Sequence, residues 1–377
     1  MTGDDSTTGK AAPAAAGGDD QVPQGGPAQQ EMFPLTDVSR EGGIEALLDS
    51  QMLEVDDRLW DGDSAVGGLT NVLYEHIQEN GRTYHRYKEG KYPLPNDELE
   101  QDRLDFQHKL YRLSLDNRLY AAPIGDNPRN VLDVATGTGI WAIEFAQEHP
   151  GSHVVGTDLS PIQPTCSAPS NVTFEICDAE DEWSFPQKFD FVHMRAVVTC
   201  FRDPKAVFAQ ARDALQPGGY LQLRDPIMPF KFHTPPPEDC ALVRWNGLLR
   251  EATARIGRRW DNAQHYARWL RELGFVDVRE HEEAIPLSPW AKSRRLKYLS
   301  LWLQHDMVSG LEGMSMALFT RVLGWEGAKV KEFVEEVKKD ICNPSIHAYG
   351  AGVLVWGRKP LEGEVMTEPK HSAESSG

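Results

Sequence analysis

The sequence predicts an α/β fold, in which helices cover both faces of a doubly wound, mostly parallel sheet. Two observations support this prediction. From residue 130 onward, short apolar runs alternate with stretches of helical periodicity, and a glycine-rich turn follows the first of these runs. Parallel strands that are buried on both faces form near-continuous apolar runs. The alternation indicates βαβ units with right-handed crossovers.

Seven strands are predicted along the chain. They cover 131–135, 153–158, 172–176, 189–194, 220–225, 275–280 and part of 345–359. Between them, helices are predicted at 141–148, 204–215, 238–256 and 261–273. A further helix, from Asp97 to about Tyr120, precedes the first strand, and its two apolar faces predict that it is well buried.

The chain divides into a core and appended segments. Residues 1–30 contain no aromatic residue, leucine or isoleucine, so they cannot bury enough apolar surface to offset the entropy of ordering. Residues 1–63 carry 14 acidic and 3 basic side chains, so most of the net charge of −18 lies there. The predicted regions are a disordered acidic leader (1–40), a helical lid region (41–125), a core (126–285), a helical cap insertion (286–343), a last core strand (344–360) and a disordered tail (361–377).

The composition argues against several function classes. With 39 basic against 57 acidic side chains, the chain lacks the excess of basic surface that binds nucleic acid or anionic lipid. No apolar run approaches the ~20 residues of a membrane helix, and the N-terminus has no signal-peptide pattern. Five scattered cysteines, never spaced C-x-x-C, favour reduced thiols in the cytoplasm and/or nucleus. We therefore expect no nucleic-acid partner and no membrane partner.

The densest chemical signal is the run from Asp133 to Gly139, DVATGTG, which follows the first strand and opens a helix. Glycines let the backbone approach a ligand closely, and a helix N-terminus offers free N–H groups with a partial positive charge. Asp158 ends the second strand, where an acid binds a ribose diol in open α/β sheets. The pattern predicts a ligand that contains a nucleoside.

Two other interpretations of this run remain open. Gly137, Gly139 and Ala142 also fit the dinucleotide fingerprint of dehydrogenases, and a glycine-rich turn can occur without any ligand. Against a dinucleotide, the carboxylate of Asp133 would repel a pyrophosphate but would attract the ammonium of a nucleoside that carries an amino acid. Acidic residues after the third strand suit an adenine amino group rather than a phosphate; they are Asp178, Glu180, Asp181 and Glu182.

On these residues the sequence resembles the class I S-adenosylmethionine (SAM)-dependent methyltransferases. Within them it is similar to the fungal LaeA-like methyltransferases, which include regulators of secondary metabolism and enzymes of natural-product pathways. The similar stretches are YKEGKYPLPNDELEQDRLDFQHKLY (87–111), NVLDVATGTGIWAIEFAQEHP (130–150), VVGTDLSPIQP (154–164), NVTFEICDAEDEW (171–183), FDFVHMR (189–195), LQPGGYLQLRD (215–225) and ICNPSIHAYGAGVLVWGRKP (341–360). The resemblance implies a Rossmann-like seven-stranded core with an N-terminal helical lid and a helical cap insertion, and SAM as the cofactor.

The resemblance also implies a set of cofactor-binding residues. Asp133 and the glycine loop would bind the methionine part of SAM, Asp158 the ribose and Asp178 the adenine amino group. The full set is Tyr92, Asp133, Ala135, Thr136, Gly137, Thr138, Gly139, Asp158, Leu159, Asp178 and Ala179. Ala135 stands where the family has a glycine, and we expect a negative φ there, which would tolerate the methyl group.

Methyl transfer to a hydroxyl can require a base, which is commonly a histidine. The candidates are His108, on the N-terminal helix, and His193, at the end of the fourth strand. Arg195 lies two residues further along and could bind a substrate carboxylate or pair with an internal acid; we expect the internal pair. No His, Cys and Asp group has the spacing of metal ligands.

Three functions remain open at this stage. The chain can be an enzyme that methylates a small-molecule secondary metabolite, a nuclear regulator that acts through protein partners, or a SAM-binding scaffold without transfer activity. A small-molecule acceptor requires a concave, mostly apolar pocket. We expect the apolar cap helices around Leu296 to Met307 and the segment from Tyr87 to His108 to close such a pocket over the methyl group, with His108 or His193 within reach of it. Tyr84, Tyr87 and Tyr92 are either part of a lid or amphipathic aromatics on the surface.

Overall fold

The computed structural model describes residues 75–164 and 166–364. The predicted leader, the first part of the lid region and most of the predicted tail lie outside these residues. The strands are β1 (His76–Glu79), β2 (Arg82–His85), β3 (Asn130–Val134), β4 (His153–Asp158), β5 (Val172–Ile176), β6 (Phe189–Arg195), β7 (Leu215–Phe232), β8 (Val276–Pro286) and β9 (Ala348–Arg358). The α-helices are α1 (Glu98–Ser114), α2 (Ile140–Glu148), α3 (Pro204–Ala214), α4 (Ala241–Arg255), α5 (Tyr266–Glu272), α6 (Arg294–Ala317) and α7 (Gly327–Cys342).

Seven strands form one sheet in the order β5-β4-β3-β6-β7-β9-β8. The pairs formed among strands β3 to β7 are all parallel, and β9 is antiparallel to both β7 and β8. The predicted seven-stranded, mostly parallel sheet is therefore confirmed. The chain fills one side of β3 first and then crosses to the other side, so the topological switch point lies between β3 and β6.

Two strands are longer than the sequence analysis predicts. Strand β7 was expected at 220–225 and runs to Phe232, and β8 was expected to end at residue 280 and runs to Pro286. The reason is their shared partner, because β9 continues to pair with both strands as far as these residues. The additional ladder hydrogen bonds stabilise the extensions, which reach beyond the parallel part of the sheet.

The predicted lid region is not helical throughout, which corrects the expectation for 41–125. Strands β1 and β2 form a hairpin whose turn is Asn80-Gly81, with φ angles of 54° and 81°. Asn-Gly is the strongest short-range signal for such a turn, because both positions need a positive φ. Tyr84, expected in a loop, lies in β2 and is 2% exposed.

Helix α1 is attached to this hairpin by a partly buried ion pair. The side chain of Asp97 caps the helix by accepting from Glu100 N, and it also accepts from Arg82 Nε on β2 over 2.7 Å. The helix ends at Ser114 and not near residue 120, because Asp116 and Asn117 adopt positive φ angles that interrupt the helix. Hairpin and helix thus form one unit beside the sheet.

The described residues contain two large apolar cores. The first packs α3 and α5 against the sheet and includes Leu132, Val192 and Phe208. The second lies under the cap insertion, where α4, α6 and α7 surround the extended end of β7; it includes Met228, Phe230, Trp245, Leu311, Phe319 and Val334. The insertion therefore brings a core of its own to one end of the sheet.

Candidate active site

The carboxyl ends of β3, β4 and β6 border a cavity of about 110 Å³, called here the cofactor cavity. It lies at the switch point of the sheet, where open α/β folds bind ligands. Its lining includes these residues named in the sequence analysis: Tyr92, Asp133, Ala135, Thr136, Gly137, Thr138, Asp158, Leu159, Asp178, Ala179, His193 and Arg195. Gly139 and His108 are not brought to its wall.

Gly139 has a packing role in the described structure. It is the N-cap of α2 with a φ of 81°, and a Cβ atom there would lie 2.5 Å from Cζ of Phe174 on β5. Both the backbone conformation and the lack of space require glycine at this position. Its contribution to the cavity is the direction in which the chain enters α2.

Two alanines with positive φ follow the ends of β3 and β6. Ala135 has a φ of 56° and Ala196 of 57°, and both line the cofactor cavity. The negative φ expected at Ala135 is therefore wrong. The chain turns sharply out of β3, with Thr136 N donating to Thr157 O over 2.9 Å. This conformation costs a residue with a Cβ about 1–2 kcal/mol, and such strain is concentrated at ligand-binding sites.

Asp133 is held by two neighbouring side chains. It accepts from Thr136 Oγ1 over 2.6 Å, and its other oxygen lies 2.7 Å from His193 Nδ1. The His193 ring stacks on Trp141 with centroids 3.8 Å apart. Burial lowers the pKa of His193, so the ring is neutral at pH 7 and Nδ1–H donates to Asp133. Nε2 is then an acceptor without a protein partner in the described part of the chain.

Asp158 closes the glycine loop against β4. Its carboxylate accepts from the backbone N–H groups of Gly137 and Ser160, each over 2.9 Å. Burial raises the pKa of Asp158 to about 6, although both N–H groups favour the ionised form. A carboxylate has about four lone-pair sites, so it can accept further hydrogen bonds from a ligand.

Two lysines of the lid region meet the acidic residues after β5. Lys91 Nζ binds Asp178, and Lys88 Nζ lies 2.9 Å from Asp181. Burial tends to raise the pKa of Asp178, but the ion pair with Lys91, the backbone N–H of Glu180 and the charge of Lys88 together outweigh burial and lower the pKa. These lysine partners of the acids were not predicted from the sequence, although the Lys-containing loop around Tyr92 was the available signal. These two ion pairs attach the loop that carries Lys88 and Lys91 to the acidic residues after β5, beside the cofactor cavity.

His108 is buried inside α1, where protein groups occupy both ring nitrogens. Its Nε2 lies 2.8 Å from Glu144 Oε2, and Arg195 Nη1 lies 3.1 Å from its Nδ1. Burial is the main cause that lowers the pKa of His108 to about 4. The neutral ring therefore donates to Glu144 and accepts from Arg195. The internal carboxylate expected for Arg195 is absent among residues 75–164 and 166–364, because Arg195 has no ion pair there.

A second cavity of about 170 Å³, called here the acceptor cavity, adjoins the first. The two share four lining residues: Tyr92, Leu104, Gln107 and Ala196. Apolar side chains dominate its wall; they include Leu110, Met228, Phe230, Ile285, Leu303, Met307 and Leu318. Residues of the lid region and of the cap insertion both contribute, as expected from the sequence.

The acceptor cavity also contains polar residues for which the sequence analysis transferred no role. Asp225, which is 1% exposed, accepts from Tyr266 Oη over 2.7 Å and from Val198 N over 3.2 Å. Burial raises the pKa of Asp225 to about 7. Arg224 pairs with Glu283 on β8. Asp225 ends the predicted fifth strand, but only the tertiary structure shows that a cavity lies beside it.

Within 75–164 and 166–364, no group of three or more His, Cys, Asp or Glu side chains is arranged to hold a metal ion. In the same part of the chain, no helix combines the length and the apolar character that are needed to cross a membrane.

Comparisons with known proteins identify the family of this chain. Residues 106–280 match a family described as a methyltransferase domain. The chain is 37% identical over 303 residues to methyltransferase pytC of Aspergillus terreus, covering 80% of this chain and 93% of pytC. It is 35% identical over 292 residues to the secondary metabolism regulator laeA of Aspergillus fumigatus, covering 76% of this chain and 78% of laeA. A Haemonchus contortus phosphoethanolamine N-methyltransferase structure covers 69% of this chain, and the chain covers 52% of it, with 18% identity and a TM-score of 0.41. The resemblance predicted from the motifs is confirmed, and the chain belongs to the methyltransferase family that includes pytC and laeA.

Proposed function

We propose that this methyltransferase binds SAM in the cofactor cavity and methylates a small molecule held in the acceptor cavity. The observation that carries the proposal is the pair of adjoining cavities. One is bordered by acidic side chains at the ends of neighbouring strands, and the other is mostly apolar. A donor and an acceptor can then meet at the shared wall without passing through bulk water.

The acids of the cofactor cavity support SAM as its ligand. Asp133, Asp158 and Asp178 come from the ends of β3, β4 and β5, so they follow the cavity in the order in which SAM presents ammonium, ribose diol and adenine amino group. Each of these groups is a hydrogen-bond donor that suits a carboxylate acceptor. Leu159 and Ala179 also line the wall, where apolar contact suits an adenine ring.

The protein's contribution to the reaction is mainly position. When bound, SAM supplies a methyl group on a positively charged sulfur, and its transfer is an in-line displacement. Such a step gains most from holding the two reactants in line and excluding water. Tyr92, Leu104 and Ala196 lie on both cavity walls and would control the approach of the acceptor.

The pairing of the charged side chains at the acceptor cavity supports an uncharged, largely apolar acceptor. Arg103 is paired with Glu100 and Asp306, and Arg224 with Glu283, so these guanidinium groups are already neutralised. A charged acceptor would have to break a buried ion pair, which is costly. Asp225, with a pKa raised to about 7 by burial, can take up a proton from an acceptor hydroxyl.

The two histidines differ in what they can do. His193 lines the cofactor cavity and keeps Nε2 as a possible acceptor, so it remains a candidate base. His108 is occupied at both nitrogens and receives no proton-transfer role. The regulator hypothesis, with protein partners, remains suggested by the name of laeA alone, and the scattered cysteines support a cytoplasmic and/or nuclear location.

Calorimetric titration of the purified protein with SAM, its demethylated product S-adenosylhomocysteine (SAH) and NADH tests the cofactor. We expect binding of SAM and SAH and none of NADH, because Asp133 repels a pyrophosphate. Binding of NADH without SAM or SAH would overturn the proposal and restore the dehydrogenase interpretation.

A further inference from the structure

The wall of the cofactor cavity contains a guanidinium group without a counter-ion. Arg195 ends β6 and lines this cavity. One Nη atom lies 3.1 Å from His108 Nδ1, and its Cζ lies 4.9 Å from the centroid of the Tyr111 ring. In the two described ranges, no carboxylate lies within ion-pair distance of it. Arg103 and Arg224, the other arginines at the two cavities, are both paired.

Two acids near Arg195 are directed toward other groups and form no ion pair with it. Asp133 is bonded to Thr136 and His193. Glu144 is bonded to His108 and Arg112. A buried charge is costly unless a partner of opposite sign offsets its desolvation. The missing partner of Arg195 is therefore expected to arrive with a ligand.

The position of Arg195 indicates which ligand group this is. His193 pairs with Asp133 across β6 and β3, and Arg195 lies two residues beyond His193, on the same face of its strand. The carboxylate of Asp133 and the unpaired guanidinium of Arg195 thus flank the start of the glycine loop. This arrangement suits a zwitterion, whose ammonium and carboxylate are attached to one carbon atom.

We propose that Arg195 binds the carboxylate of the methionine part of SAM, an assignment that rests on the proposed function. The carboxylate is the only anionic group of SAM, and a guanidinium is the side chain best suited to bind it with two parallel hydrogen bonds. Asp133, whose carboxylate keeps lone pairs beside its contacts with Thr136 and His193, binds the ammonium. Together they recognise the amino-acid end of the cofactor.

His108 acts in this arrangement as a positioning residue. Because Glu144 receives its Nε2–H, Nδ1 presents a lone pair that accepts one N–H of Arg195. The ring of Tyr111 supports the guanidinium through a cation–π contact. The remaining N–H groups of Arg195 are left for a ligand. This assignment gives a role to the contact between buried His108, which does not line the cofactor cavity, and Arg195, which does.

Titration of wild type and R195M with two ligands tests the proposal. SAH carries the methionine carboxylate, and decarboxylated SAM lacks only that group among the recognition elements. We expect R195M to bind SAH about 10- to 100-fold more weakly, which corresponds to one charge-assisted pair, and decarboxylated SAM within twofold of wild type. R195K keeps the charge without the fork and should fall between the two for SAH.

Other results would overturn the assignment. Equal losses for both ligands would show that Arg195 only shapes the cavity. Unchanged SAH affinity in R195M would show that Arg195 does not bind the methionine carboxylate. If wild type itself binds neither ligand, the proposed function fails, which is a different result. If R195M does not fold, as judged by circular dichroism, R195Q provides the same comparison.

The positioning role of His108 has a separate readout. H108F removes the acceptor of Arg195 while keeping a ring in the same volume, and it should reduce SAH affinity about 3- to 10-fold but leave decarboxylated SAM unaffected. Combined with R195M, it should cause no further loss of SAH binding, because the two residues act through one contact. Additive losses, or losses shared by both ligands, would contradict this role.

Discussion

The two adjoining cavities are built in different ways. The cofactor cavity takes its acids from the ends of three neighbouring strands, and most of its wall comes from short motifs. The acceptor cavity collects α1, α6, the ends of β7 and β8 and part of β9, which are far apart in sequence. The first is therefore recognisable from sequence, whereas the second exists only once the sheet, the lid region and the cap have assembled.

The cavities also differ in how their charges are balanced. The arginines of the acceptor cavity form ion pairs within the protein, so its wall leaves no arginine charge unpaired for a charged ligand. In the cofactor cavity, Arg195 lacks a counter-ion and Asp158 retains free lone pairs. Unsatisfied groups at a cavity wall indicate what a ligand must bring, and this difference separates the zwitterionic donor from an apolar acceptor.

The largest expected effect concerns Asp158. We expect D158A to weaken SAH binding by about 2–4 kcal/mol, or about 30- to 1,000-fold, because the ribose loses its charged acceptor. Calorimetric titration measures this loss. D126A is the matched control, since Asp126 is exposed and lines neither cavity. If D158A binds SAH as tightly as wild type, the ribose assignment is wrong.

The pH dependence of wild type sharpens the same assignment. Burial raises the pKa of Asp158 to about 6, and the ribose hydroxyls require its ionised form. Below that value a proton must first be removed, so SAH affinity should fall by about tenfold per pH unit as pH decreases from 6. In D158A this dependence should be absent. A flat profile in wild type would contradict the role of the carboxylate.

An intermediate effect is expected when the acceptor cavity is filled. Leu303 of α6 lines this cavity and is not part of the cofactor cavity. L303W should weaken binding of the uncharged fluorophore N-phenyl-1-naphthylamine at least about tenfold, because the indole takes up the apolar space, and leave SAH affinity unchanged. Fluorescence titration measures the probe.

Leu301 provides the control for this variant. It lies on the same helix but lines neither cavity, so L301W should bind the probe as wild type does. Loss of SAH binding in L303W would show that the two cavities do not bind their ligands independently. Unchanged probe binding would place the apolar ligand elsewhere on the protein.

The smallest effect is expected from A135G. Because Ala135 has a φ of 56°, glycine should relieve strain, and after the entropy of the unfolded chain is subtracted we expect a gain of about 0.5 kcal/mol in the free energy of unfolding. A142G, in the first turn of α2, should instead lose up to about 1 kcal/mol. Urea unfolding distinguishes the two signs. A loss in A135G would mean that the alanine methyl group contributes more packing than it costs in strain.

Much of the sheet could be predicted because its determinants are local. Strands β4 and β5 begin and end at the predicted residues, 153–158 and 172–176, since buried strands leave continuous apolar runs. The hairpin at Asn80-Gly81 was missed although its signal is also local. The lengths of β7 and β8 were not predictable in this way, because they depend on pairing with β9, which is more than 60 residues away from either end.

The sequence by itself determined the order of strands and helices and the group of acids that lies at one edge of the sheet. The carboxyl ends of parallel strands meet there whatever the details of packing. Only the tertiary structure decided the conformation of Ala135, the occupation of both nitrogens of His108 and the lack of a carboxylate beside Arg195. The physical reason is that desolvation and pairing depend on which distant segments pack together, and α1, α2 and β6 meet only in the folded chain.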